Sequence, residues 1–168
     1  MMKRLLLYLL IISTVSISGC WNYKETNKFT LVTGMAIDYD EYNNYLVTVE
    51  VMSHEKGRYV GETYSITGTT LFDAIRNFIN ITGKKIYWGH SKSVVISKDI
   101  AWDGLIPVFD FIYRDAELRK NMWVFISRED QAGDIFESSE EKIEPVRAYH
   151  MENILKSYEY SSKYLGTP

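Results

Sequence analysis

The sequence predicts an α+β fold, close to the α/β class, in which a mixed β-sheet of about five strands carries helices packed against it. Three observations carry this expectation. Residues Tyr45 to Met52 alternate, with Tyr45, Val47, Val49 and Val51 opposed by Leu46, Thr48, Glu50 and Met52, the pattern of a hairpin strand. Leu71, Phe72, Ile75, Phe78, Ile79 and Thr82 recur at helical spacing. Further short apolar runs then alternate with helical segments, giving the order β-β-β-α-β-α-α-β-α-α.

Phe29 to Asp38, rich in β-branched and apolar residues, reads as the first strand. Asp40-Glu41-Tyr42-Asn43-Asn44 has turn chemistry and leads into the alternating strand. Ser53 to Gly61 is polar, contains two glycines and reads as a loop before a third strand, Glu62 to Thr67. The helix over 71–82 has Thr70 and Asp73 in a capping-box arrangement, and Gly83 stands where a left-handed cap is expected. Ile86 to Ser97 reads as a strand. Lys98 to Arg114 divides into two short helices at Gly104 and Pro107, the second burying Val108, Phe109, Phe111 and Ile112. Asn121 to Ser127 is a strand. Glu129 to Glu137 and Val146 to Tyr160 are helices separated by the acidic run Ser138 to Glu144 and by Pro145.

The N-terminus predicts export. Met1-Met2-Lys3-Arg4 is basic, Leu5 to Ile12 is an unbroken apolar run, and small residues precede Cys20 in Ile17-Ser18-Gly19-Cys20. The stretch from Leu5 to Ile17 is shorter than the ~20 residues a spanning helix needs. Ile-Ser-Gly-Cys has the pattern of a bacterial lipobox. Residues 1–19 thus read as a lipoprotein signal peptide, and Cys20 as the lipid-attachment site. Cys20 is the only cysteine, so an internal disulfide is excluded. Each buried methylene contributes about 0.8 kcal/mol and two acyl chains suffice for stable anchoring, so function is expected beside a membrane. Residues 20–28 form a tether, residues 29–160 the domain, and residues 161–168 a polar tail or the start of a linker.

Composition narrows the function classes. Aromatics make up 14% of the chain, with 13 Tyr, which is a folding composition and not a disordered one. The formal charge of −3 becomes more negative once Lys3 and Arg4 leave, giving no electrostatic basis for binding nucleic acid. Three His residues offer no metal site: His54 and His150 read as surface residues, and His90 lacks a second ligand nearby. No Gly-x-Ser-x-Gly elbow and no phosphate loop is present. No catalytic residue, metal or cofactor is expected. Trp88, His90 and Lys92 would share one face of a strand. Arg114, Asp115, Glu117 and Arg119 belong to a dense charge cluster after an apolar helix, read as a turn knitted by ion pairs. The two groups together are the candidate partner-contact surface, since aromatic and Arg side chains dominate interface energetics.

Four stretches resemble one family. They are Gly19-Cys20-Trp21-Asn22-Tyr23-Lys24-Glu25, Val32-Thr33-Gly34-Met35-Ala36-Ile37-Asp38, Gly83-Lys84-Lys85-Ile86-Tyr87-Trp88-Gly89-His90-Ser91-Lys92, and Phe111-Ile112-Tyr113-Arg114-Asp115-Ala116-Glu117-Leu118-Arg119. In this order they resemble the Ger(x)C family, the lipoprotein C subunit of spore germinant receptors. The resemblance implies a non-enzymatic subunit on the outer face of the inner spore membrane. It also implies partnership with the A and B integral membrane subunits of a nutrient receptor. Only Cys20 carries over as a chemically defined site. Lys84-Lys85 departs from the more usual Gly-Arg-Lys while keeping the charge. The chain is shorter than is typical of the family, so a fragment, a truncated gene or a split gene is expected. Two other classes compete: a solute-binding lipoprotein of a transporter, and a membrane-anchored hydrolase. The first lacks the second lobe such binders use, and the second lacks a catalytic constellation.

Overall fold

The computed structural model describes residues 2–4, 8, 13, 29–55, 57–137 and 145–164, with side chains described through Tyr158. The lipobox with Cys20, the tether, the acidic run before Pro145 and the last four residues lie outside the described residues. The elements are β1 (Phe29–Tyr39), β2 (Tyr45–Glu55), β3 (Arg58–Gly68), α1 (Leu71–Thr82), β4 (Lys85–Tyr87), β5 (Ser93–Ile96), α2 (Lys98–Asp103), α3 (Ile106–Arg114), β6 (Trp123–Ile126), α4 (Asp134–Glu137) and α5 (Arg147–Tyr164). The sheet is mixed, in the order β3-β2-β1-β5-β6, with β4 pairing the first residues of β1. This is the α+β architecture the sequence predicts.

β1, β2 and β3 form an antiparallel meander. Asp40 closes the first turn, its carboxylate accepting from the backbone N–H groups of Tyr42 and Asn44 at 2.8 Å each. The expected loop over Ser53 to Gly61 is a tight hairpin instead. β2 and β3 stay paired out to Glu55 and Arg58, and His54 meets Tyr59 across the ladder with ring centroids 5.3 Å apart. Cross-strand aromatic contact thus extends a segment whose composition alone reads as loop.

The strand expected over Ile86 to Ser97 is interrupted. β4 and β5 both run parallel to β1, but β1 advances from Leu31 to Gly34 while its partner advances from Tyr87 to Ser93. The extra length is taken up by a turn in which Ser91 N–H donates to Trp88 O at 3.0 Å. Gly89 is required there, because a Cβ on it would lie 2.6 Å from the Tyr87 ring.

The helices follow their caps. Thr70 accepts from Asp73 N–H at 3.1 Å, and Gly83 closes α1 at φ 65° with its N–H on Ile79 O. α1 buries Leu71, Ala74 and Phe78, whereas Ile79 leans into solvent, so the inward stripe is rotated from the one its spacing predicts. Similarly, α3 buries Val108, Phe111 and Ile112 and leaves Phe109 exposed. The helix expected over Glu129 to Glu137 shrinks to one turn. α5 runs to Tyr164, past the expected start of the polar tail.

The sheet has two unlike faces. α1, α2 and α3 cover the first, with Met35, Ile37, Val47, Val49, Val94, Ile96, Phe78 and Phe111 in one apolar core. α4 and α5 cover the second, where Ala36, Val95, Ala132, Phe136 and Ala148 form a smaller cluster. Gly34 lets α5 approach closely, since a Cβ there would lie 2.9 Å from Ala148 Cβ and from the Phe136 ring. Two carboxylates, Asp38 and Glu50, are buried on that same face.

Candidate functional site

The segment from Lys84 to Lys92 and the one from Arg114 to Lys120 are far apart in sequence but adjoin in the fold. Lys85 Nζ pairs with Glu117 Oε1 at 2.5 Å. Arg119 donates through Nη1 to Gly89 O at 3.1 Å and through Nε to Asn121 Oδ1 at 3.0 Å. Asp115 Oδ1 accepts from Glu117 N–H at 2.8 Å, and Lys120 Nζ donates to the carbonyls of Ile112 and Asp115, which holds the turn closed. Arg114 pairs with Asp110 one helical turn back, at 3.0 Å. Leu118 and Trp88 point inward and fix both segments to the core. A groove of about 330 Å³ runs between this turn and α1, with Phe72, Ile75 and Ile79 on one wall and Lys85 and Glu117 on the other.

The expected face of Trp88, His90 and Lys92 does not form. Because the strand breaks at Trp88, the three side chains diverge. Trp88 is 2% exposed and belongs to the core, so it offers nothing to a partner. His90 is exposed, 6.2 Å from the Tyr87 ring, beside a second cleft of about 580 Å³ that Phe29, Tyr64 and Lys84 also line. Lys92 turns under α5, with Nζ 3.2 Å from Glu152 Oε2 and 5.8 Å from the centre of the Tyr149 ring. Burial raises the Glu152 pKa, but bonds from Lys156 and Lys92 outweigh it and hold the carboxyl below its ordinary value. Of the residues singled out in sequence, Glu117 and Arg119 are brought onto the Lys85–Gly89 segment, with Asp115 bracing their turn. Arg114 lies apart, on α3.

The groups that sequence reasoning misses are Glu50 and Asp38. Glu50 is 1% exposed. Its Oε1 accepts from Arg147 N–H at 2.5 Å, and its Oε2 from Ala148 N–H at 3.0 Å and Thr33 Oγ1 at 2.7 Å. It therefore caps the first turn of α5, whose N–H groups have no partner within the helix. A register shift in β1 between Val32 and Gly34 sets Thr33 beside it. Asp38 accepts from Ala132 N–H at 2.6 Å and Gly133 N–H at 3.1 Å, ahead of α4. Burial pushes both carboxyls above their ordinary pKa, and these hydrogen bonds offset only part of that rise. The only sequence signal is a carboxylate beside apolar neighbours, Glu50 between Val49 and Val51 and Asp38 after Ile37.

Among the described residues, no group of three His, Cys, Asp or Glu side chains is arranged to hold a metal ion. None of the described helices is long and apolar enough to cross a membrane. The site is thus a surface of paired charges beside an apolar groove, a geometry that suits contact with another molecule.

The spore germination protein N-terminal domain family matches residues 22–168. The chain belongs to that family. Three relatives from Bacillus subtilis (strain 168) show the same relationship. The chain is 26% identical to spore germination protein KC over 145 residues, covering 79% of this chain and 36% of the relative. It is 27% identical to spore germination protein A3 over 139 residues, covering 77% and 37%. With spore germination protein B3 the identity is 22% over 129 residues, covering 73% and 34%. The chain therefore spans roughly a third of the length of the curated relatives it matches. No solved structure matches it.

Proposed function

We propose that this chain acts in spore germination as the lipid-anchored C-type subunit of a nutrient germinant receptor. The observation that carries the reading is the family match across residues 22–168. In this reading residues 1–19 direct export, and Cys20 is acylated and holds the chain on the outer face of the inner spore membrane. Residues 20–28 are the tether, and the domain begins at Phe29. Two acyl chains give lasting attachment, which one does not. The domain then works without catalysis, through contacts with the A and B integral membrane subunits. The surface it offers them is the joined turn of Lys85, Asp115, Glu117 and Arg119, with His90 at its margin and Arg114 on the adjoining helix. Two segments of the chain meet there, and exposed charges at such a rim fix partner choice and orientation more than affinity.

Two measurements test the reading. Cys20→Ala should abolish incorporation of radiolabelled palmitate and release the protein from spore membranes; labelling retained in the variant overturns the anchor. Glu117→Lys, which puts like charges at the Lys85 contact, should reduce co-purification with the two membrane subunits while the circular dichroism melt changes little. Undiminished co-purification overturns the assignment of this surface.

A further inference from the structure

The two edges of the sheet are finished differently. β3, the long edge, is partly covered: Gly61 N–H donates to Pro145 O at 3.1 Å, and Thr67 O accepts from Asn77 Nδ2 at 3.3 Å. Its tip is charged and its exposed positions include Arg58, Ser65 and Thr67. Among the described residues, β6, the opposite edge, has none of these contacts, and only its shortness blunts it. Its four residues, Trp123-Val124-Phe125-Ile126, are all apolar. Trp123, Val124 and Ile126 are 37%, 43% and 57% exposed. Trp123 and Ser127 turn their N–H groups toward β5, onto Lys92 O and Ile96 O. By the alternation of a strand, Val124 and Ile126 turn theirs outward, where no described residue meets them. A bare apolar edge of this kind is a template for another strand, and proteins ordinarily blunt it.

We infer that β6 is the docking edge for β6 of a second copy of this chain, paired antiparallel about a two-fold axis through Phe125. The flanks of the strand choose the occupant. Arg119 and Lys120 precede it, and Glu129 and Asp130 follow it. Antiparallel pairing of two identical strands sets the basic end of each against the acidic end of the other. The axis stands perpendicular to the sheet, so residues of like parity must face each other. Pairing centred on Phe125 sets Val124 opposite Ile126 and Lys120 toward Asp130. Pairing centred on Val124 would set Arg119 toward Glu129 but also Lys120 toward Arg128, a like-charge contact that the first register lacks, so the first register is preferred. The outward N–H and C=O groups of Val124 and Ile126 then bond across the junction, and the two sheets become one. Phe125 meets its copy on the second face of the sheet, in the wide spacing where side chains approach most closely.

The test uses the full chain in detergent with Cys20→Ala, so that an introduced thiol is the only one. Sedimentation velocity should show a monomer–dimer equilibrium that shifts with concentration. Phe125→Cys should oxidise to a covalent dimer far more completely than Trp123→Cys or Ile126→Cys, whose opposite positions are not their own copies. Val124→Lys, on the open edge, should abolish both the concentration dependence and the trapping without changing the melt. A strand from another protein, or a later segment of a longer chain, as the true occupant would leave this chain monomeric at every concentration. That result, or equal trapping at all three positions, overturns the inference.

Discussion

The two faces of the sheet are held by different forces. On the first, Phe78, Phe111, Trp88 and the inward residues of β1, β2 and β5 lose contact with water, and attachment scales with the apolar area removed. On the second, Gly34, Ala36 and Ala148 are too small to supply much area, and the backbones come close. What holds α5 there are directed contacts, a sheet carboxylate accepting from the first N–H groups of the helix and Lys92 pairing with Glu152. Area tolerates small shifts in position, whereas a cap at 2.5 to 3.0 Å does not. The first face therefore contributes most of the domain's stability, and the second sets where α5 sits.

This contrast can be broken from both sides. The largest effect is expected on the apolar face: Phe78→Ala should cost about 3–5 kcal/mol, seen as a lower urea midpoint with protection from amide exchange lost throughout the domain. Glu50→Ala should cost about 2–4 kcal/mol, since it orphans two helix N–H groups and leaves the Thr33 hydroxyl only the backbone carbonyl of residue 50. Its loss of exchange protection should appear first in α5, at conditions where β1 and β2 remain protected. Uniform loss in both variants would erase the distinction between the faces.

A pH series sharpens it. The Glu50 carboxyl is raised in the folded state chiefly by burial, so between its ordinary value and the raised one the folded chain binds more protons than the unfolded chain. Stability from this group is fully present at low pH and falls as pH rises through that window. Glu50→Gln does not titrate there. The stability of the original protein minus that of Glu50→Gln should rise as pH falls from 7 through this window, by about 1.4 kcal/mol per unit of pKa difference. A difference that falls on acidification would mean that the hydrogen bonds outweigh burial.

The smallest effect belongs outside both faces. Lys85→Ala removes a pair whose side chains are 52% and 45% exposed, and should change stability by less than about 1 kcal/mol, read from the thermal midpoint. A larger loss would make the joined turn part of the framework.

What could be read in the sequence follows the same division. The elements of the apolar face announce themselves by period: the alternation of β2, the spacing of α1, the Gly83 cap and the split at Pro107. The break at Trp88 is hidden, because Tyr87-Trp88-Gly89-His90 has strand composition and only the Gly89–Tyr87 approach reveals the turn. At the candidate site, the charges of Glu117 and Arg119 were visible as a cluster, but their partners were not. Lys85 and Gly89 lie 32 and 30 residues away respectively. The burial of Trp88 is hidden too, because exposure on a strand depends on where the strand ends. Glu50 and Asp38 escaped altogether, because a carboxylate in an alternating strand reads as its solvent side until a helix is known to lie over it.

The cap by Glu50 also fixes an order of events in time. Its partner Arg147 lies 97 residues further along the chain. The β2–β3 hairpin forms from local contacts, whereas this cap must wait for a segment distant along the chain. Until then the carboxylate has only Thr33 and water to bond with. Docking of α5 replaces that water with its own first N–H groups, which makes it a late step in folding.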